Sequence, residues 1–113
     1  MEELNSVLGS VLSIEREVYV DSIQEGYKQG TRLAVESILQ QARQNGLKTY
    51  KSMKNIIVQE NLNKSKSMKM LKDTLADYKN KLNRKQEEIS ISEKWNTISN
   101  ITALEYLINE YKS

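Results

Sequence analysis

The chain has 113 residues, with 17 Lys and Arg against 15 Asp and Glu, and it contains no Cys, His, Pro or Phe. Those absences remove a disulfide framework, a thiolate nucleophile, and the commonest general base and metal ligand, and no apolar run approaches the roughly 20 residues a membrane span needs. A hydrophobic share of 38% predicts a single all-α domain held by seams between helices rather than by a large core.

The first predicted helix covers about residues 3–44. Leu4, Val7, Leu8, Val11, Leu12, Ile14 and Val18 recur mostly at three- and four-residue steps, and Tyr19, Ile23, Tyr27, Ala34 and Ile38 continue the stripe. The pattern allows one long helix or two with a break near Gly9-Ser10. Asn45-Gly46 reads as its stop, because both residues tolerate the left-handed conformation common at helix ends.

A second helix is expected over about residues 47–89, either continuous or broken near 61–66, where Asn61 to Ser67 is poor in apolar residues. It opens with Leu47, Tyr50, Met53, Ile57 and Val58. Farther on, Met68, Leu71, Leu75, Tyr78, Leu82 and Ile89 alternate steps of three and four like a coiled-coil seam, with Lys85 the one polar interruption. Ser90-Ile91-Ser92-Glu93 matches a capping box and predicts a last helix over about 93–111. Its buried face would carry Trp95, Ile98, Ile101, Leu104, Leu107, Ile108 and Tyr111.

A reversal at Gly46 would set Leu8 near Leu82, Leu12 near Tyr78 and Ile23 near Met68, and apolar residues coincide along most of that ladder. The expected architecture is therefore an elongated antiparallel hairpin plus a third C-terminal helix, with residues 27–66 projecting as a two-helix arm. The alternative is a compact four-helix bundle broken near residue 63.

Charge is segregated along the chain. Residues 1–47 hold four basic and seven acidic side chains, residues 48–85 hold eleven and three, and residues 86–113 hold two and five. Lys48, Lys51, Lys54, Lys64, Lys66, Lys69 and Lys72 form the basic set. They are a candidate surface for a protein partner or a polyanion, or else a solvated helix face. Lysines of this kind neutralise phosphates without reading sequence. Arg, the better base reader, is missing between Arg43 and Arg84. Tyr50 is the one aromatic beside the cluster, so no platform for stacking single-stranded bases is evident.

Ser22, Gly26, Gly30 and Ala34 place four small residues at four-residue spacing on one helical face. Glycine inside a helix costs about 0.5–1 kcal/mol relative to alanine. The stripe is therefore a candidate for close helix packing, a homodimer seam or a groove for a foreign partner. The same stretch, Glu25-Gly26-Tyr27-Lys28-Gln29-Gly30-Thr31-Arg32-Leu33, resembles the E-G-[YF]-x-x-G-x-R-L segment of small helical proteins of low-G+C Gram-positive bacteria and their phages. That resemblance implies a phage or mobile-element origin and no particular activity. Thirteen Lys against four Arg is similar to the usage of AT-rich genomes of that kind.

Catalysis is not expected. Asp73 and Asp77 share a helical face and Glu87-Glu88 and Glu15-Arg16-Glu17 group carboxylates, but no histidine assists them and no Glu-x-x-His set exists. No catalytic, cofactor or metal residue is assigned, and neither a small-molecule substrate nor a membrane partner is expected. The opening Met1-Glu2-Glu3 lacks a secretory pattern, so a soluble protein of the cytoplasm, of the host if phage-encoded, is anticipated. The leading expectation is a non-enzymatic helical binding protein, a phage or mobile-element regulator or inhibitor that contacts a larger host or defence protein. A nucleic-acid-binding protein using residues 48–72 and a homo-oligomeric coiled-coil protein are the alternatives.

Overall fold

A computed structural model describes the backbone of residues 2–22, 29–84 and 89–112, with the side chains of all but 20–22, 29–33 and 84. Four helices make up the described chain: α1 (Glu2–Ser22), α2 (Gln29–Gln59), α3 (Lys64–Arg84) and α4 (Ile91–Lys112). The molecule is all-α, as the periodicity predicts. Its breaks, however, fall elsewhere than at the expected reversal. α1 passes straight through Gly9-Ser10, and α2 passes straight through Asn45-Gly46.

The chain leaves α2 after residue 59 instead. Asn61 takes a left-handed φ of 52°. Around it the Leu62 N–H bonds the Ile57 carbonyl at 3.0 Å and the Asn61 N–H bonds that of Val58 at 3.2 Å. This is the doubly bonded Schellman ending, which satisfies carbonyls that the helix itself leaves unpaired. Leu62, the residue that makes the customary apolar contact of such an ending, packs against the core cluster that contains Ile57. Asn63 then caps α3, its Oδ1 accepting from the Lys66 N–H at 2.8 Å. Ser90 caps α4 in the same way, its Oγ accepting from the Glu93 N–H at 3.2 Å.

Among the described residues no two-helix arm projects, and the extents are 52 × 31 × 21 Å. α4 lies at the centre and packs against each of the other three helices, most extensively against α2. The partner contacts fix the directions. Arg16 pairs with Glu36, and Gly9 lies beside Arg43, so α1 and α2 are antiparallel. Thr49 donates to Asn100 Oδ1 at 2.7 Å and Lys54 approaches Glu110 at 3.9 Å, so α2 and α4 run in parallel. α2 and α3 are consecutive in the chain, yet both dock on α4 and touch each other little. The predicted pairing of Leu8 with Leu82 and of Leu12 with Tyr78 is thus replaced. Leu8 sits against Gly46, and Leu12 clusters with Val35, Ala42 and Trp95.

Gly46 has a packing role. A methyl group placed there would collide with the Ser99 hydroxyl and come within 3.0 Å of both Leu8 methyl carbons. Its missing side chain lets α1, α2 and α4 converge. One core cluster joins all four helices through Leu4, Leu8, Tyr50, Ile57, Leu71 and Leu104. The other, at the opposite end, centres on Trp95, whose ring meets Tyr19 edge-on at 5.9 Å. Trp95 is 1% exposed and belongs to the core. The α3 seam faces inward over its first part: Leu71 is buried, and Met68, Leu75 and Tyr78 pack against the larger cluster. Among the described residues Leu82 joins neither cluster, and Ile89 lies beyond the helix.

Candidate functional site

α1 carries two apolar stripes, and the bundle covers only one of them. Leu4, Leu8 and Leu12, spaced by four, are at most 1% exposed. Val7, Val11, Ile14 and Val18 lie on the adjoining face at steps of four, three and four. Val7 and Val11 are half-buried, whereas Ile14 and Val18 are 62% and 60% exposed. Sequence periodicity merged the two stripes into one amphipathic face. The available signal was its width, since seven apolar positions in fifteen residues (Leu4–Val18) exceed what one covered seam needs.

The half-buried end of the outer stripe opens into a groove between α1 and α4. Val7, Val11 and the Tyr106 ring supply its apolar lining, and Glu3, Glu105 and Glu110 bring three carboxylates; among the described residues no lysine or arginine lines it. Desolvation, and then the facing Glu3 carboxylate, raise the Tyr106 phenol above its ordinary pKa. Glu110 is anchored from the α2 side, where it accepts a hydrogen bond from the Tyr50 hydroxyl and lies 3.9 Å from Lys54. Lys54 also stands over the Tyr50 ring, 4.8 Å from its centroid. Burial first, and then the bond to Glu110, push the Tyr50 phenol up, and the contact with Tyr50 raises Lys54. Lys79 of α3 reaches Glu105 at 3.7 Å.

The basic set does not form one surface. Lys48 and Lys51 are exposed on α2, while Lys54 turns inward to Tyr50 and Glu110. Lys64, Lys66, Lys69 and Lys72 are exposed on α3, a helix that barely touches α2. Lys66 and Lys69 flank a shallow groove with Leu62 and Met70, and Asp73 and Asp77 lie in the same groove. The two aspartates do share a face, as the spacing predicts, interleaved with lysines. Of the small-residue stripe, Gly26 lies outside the described residues, as do the surroundings of Ser22 and Gly30; Ala34 is exposed. The Glu25–Leu33 segment that carries the family resemblance likewise falls mostly outside them.

Among the described residues no helix is long and apolar enough to cross a membrane, and no group of three metal-ligating side chains converges. The chain matches no protein-family model, no curated protein and no solved structure.

Proposed function

We propose that this protein is a non-enzymatic helical binding protein that works by protein–protein contact, occupying a surface on a larger macromolecule. The observation that carries this reading is the outer stripe of α1. Valine and isoleucine are poorer helix formers than alanine or leucine, and at Ile14 and Val18 they gain little from the bundle's own core. A row of them on a helix otherwise set among polar side chains is what an interface presents. The resemblance at Glu25–Leu33 and the lysine-rich composition support a narrower version, a phage or mobile-element regulator that inhibits a host or defence protein.

The test is a photo-crosslinking residue at Ile14, compared with one at Gln44 on the exposed side of α2. A discrete protein adduct at Ile14, absent from Gln44 and indifferent to nuclease, is the expected result. Adducts at neither site, or at both alike, would reject the reading. Nucleic-acid contact through residues 48–72 is the second reading. In its favour, Lys64, Lys66, Lys69 and Lys72 are exposed and make no ion pair among the described residues. It requires affinity for nucleic acid that falls steeply between roughly 50 and 200 mM salt, because each phosphate contact releases counterions.

A further inference from the structure

We propose that the α1 stripe, with the groove it shares with α4, seats a basic amphipathic helix of the partner protein. The inference rests on the contact reading above and names the chemistry of the partner. Three observations carry it.

The first is spacing. Val7, Val11, Ile14 and Val18 alternate steps of four, three and four, the register in which a second helix lays its own side chains between those of the first. From Val7 to Val18 the stripe is about 16 Å long at 1.5 Å per residue, which is three turns of a docked helix. An extended strand would find no free backbone edge here, because the amides of α1 are spent within the helix.

The second is charge. α1 holds one described cation, Arg16, and Glu36 of α2 engages it on another face. The charged residues bordering the stripe are all acidic, Glu3 and Glu17 on one side with Ser10 between them and Glu15 on the other. Across the groove α4 adds Glu105 and Glu110, each also approached by a lysine that does not line the groove, Lys79 from α3 and Lys54 from α2. A docked helix with Lys or Arg beside its apolar row would meet carboxylates along its length, and an acidic helix would be repelled. The same frame excludes a polyanion.

The third concerns a second copy of this chain. Antiparallel pairing of two α1 helices, with Val7 opposite Val18, would put Glu3 of one and Glu17 of the other on the same flank about five residues, roughly 7.5 Å, apart along the axis. Parallel pairing would bring Glu17 of one copy toward Glu15 of the other, because opposite flanks meet across a two-fold seam. Flanking charges of one sign on both strands disfavour self-association, so the occupant is a different, basic helix.

The probe is a pair of designed helical peptides with the same leucine row, one flanked by lysines and one by glutamates, each titrated into the full chain by fluorescence anisotropy. The lysine peptide is expected to bind at least tenfold more tightly than the glutamate peptide at low salt, with the gap narrowing as salt rises. Ile14→Ser/Val18→Ser should weaken that binding at least tenfold with unchanged thermal melting, since both side chains are exposed. Glu3→Lys/Glu17→Lys should reverse the preference. Equal binding of the two peptides, binding of neither, or full binding by the serine variant would overturn the inference. So would sedimentation showing a dimer that Val18→Glu dissociates, because the stripe would then belong to a second copy. If Ile14 crosslinks a protein but neither peptide binds, the contact function stands and only the basic-helix partner fails.

Discussion

At the scale of single residues, Gly46 and Ser99 meet where α1, α2 and α4 converge. Alanine is the better helix former by about 0.5–1 kcal/mol, so propensity alone favours Gly46→Ala. Packing opposes it, because the new methyl would strike the fully buried Ser99 hydroxyl and both Leu8 methyl carbons. Overpacking of this kind costs about 1–3 kcal/mol, and a net loss of stability is expected in urea unfolding. The Ser99 hydroxyl is buried without a hydrogen-bond partner, so Ser99→Ala should be neutral or stabilising. It should also offset part of the damage in the double variant. A glycine held for a left-handed turn would show no such coupling. Tyr50 supplies a second test. Its phenol and the Lys54 ammonium are both raised by folding, so each contributes stability that is complete below its unfolded pKa and lost as pH climbs through the folded one. Melting temperature should therefore be insensitive to these groups from pH 7 to 9 and fall above roughly pH 10. Tyr50→Phe should flatten that alkaline fall, and an unchanged slope would remove the assignment.

At the scale of elements, the end of α2 rests on one strained backbone position. Asn61 adopts a conformation that costs most L-residues roughly 1–2 kcal/mol and glycine nothing. Asn61→Gly should leave stability unchanged or raise it, and Asn61→Ala should lower it by about 1 kcal/mol, as read from paired denaturation curves. Equal stability of the two variants would mean that Leu62 and the α3 cap hold the corner without help from φ. This corner also shows what was legible in the sequence. The inward leucines of α1 and the face of α3 formed by Met68, Leu71, Leu75 and Tyr78 could be read from helical periodicity, and the Ser90 cap from its spacing to Glu93. On the central α4, periodicity found Trp95, Leu104, Leu107 and Ile108 but missed the buried Thr97, Ser99 and Ala103. The corner at Asn61 could be read only as one of two options, because asparagine and glycine serve both turns and helix interiors. Gly46 looked like a stop because local sequence cannot distinguish a glycine that ends a helix from one that admits a neighbouring helix. The outer stripe of α1 was hidden for a related reason: apolar identity marks a face to be covered without saying whether the chain itself covers it. The lysine cluster looked continuous because the chain order that joins Lys54 to Lys64 says nothing of Lys54 turning inward to Tyr50.

At the scale of the whole molecule, the central position of α4 makes the bundle uneven. α1, α2 and α4 contact one another pairwise and share both core clusters, whereas α3 is held chiefly by α4. Among its described side chains only Ser67 and Leu71 are buried, and the Ser67 hydroxyl has no hydrogen-bond partner. Apart from Leu71, its apolar contacts come from the half-buried Met68, Met70, Leu75 and Tyr78 and fall chiefly on one helix, α4. Helices with few fully buried contacts open below the global unfolding free energy. Native-state hydrogen exchange should show α3 amides exchanging through a sub-global opening about 2 kcal/mol or more below that of α4. Leu71→Ala should widen the difference, since a buried leucine truncated to alanine costs about 2–5 kcal/mol and here most of that loss falls on the α3–α4 contact. Ile14→Ser, on the other side of the molecule, should leave both rates alone. α3 protection equal to that of α4 would mean that the bundle unfolds as one unit. The expected asymmetry also bears on function. The acidic, apolar surface of α1 stands on a helix that two others hold, α2 and α4, while Lys64, Lys66, Lys69 and Lys72 ride on the helix held chiefly by one.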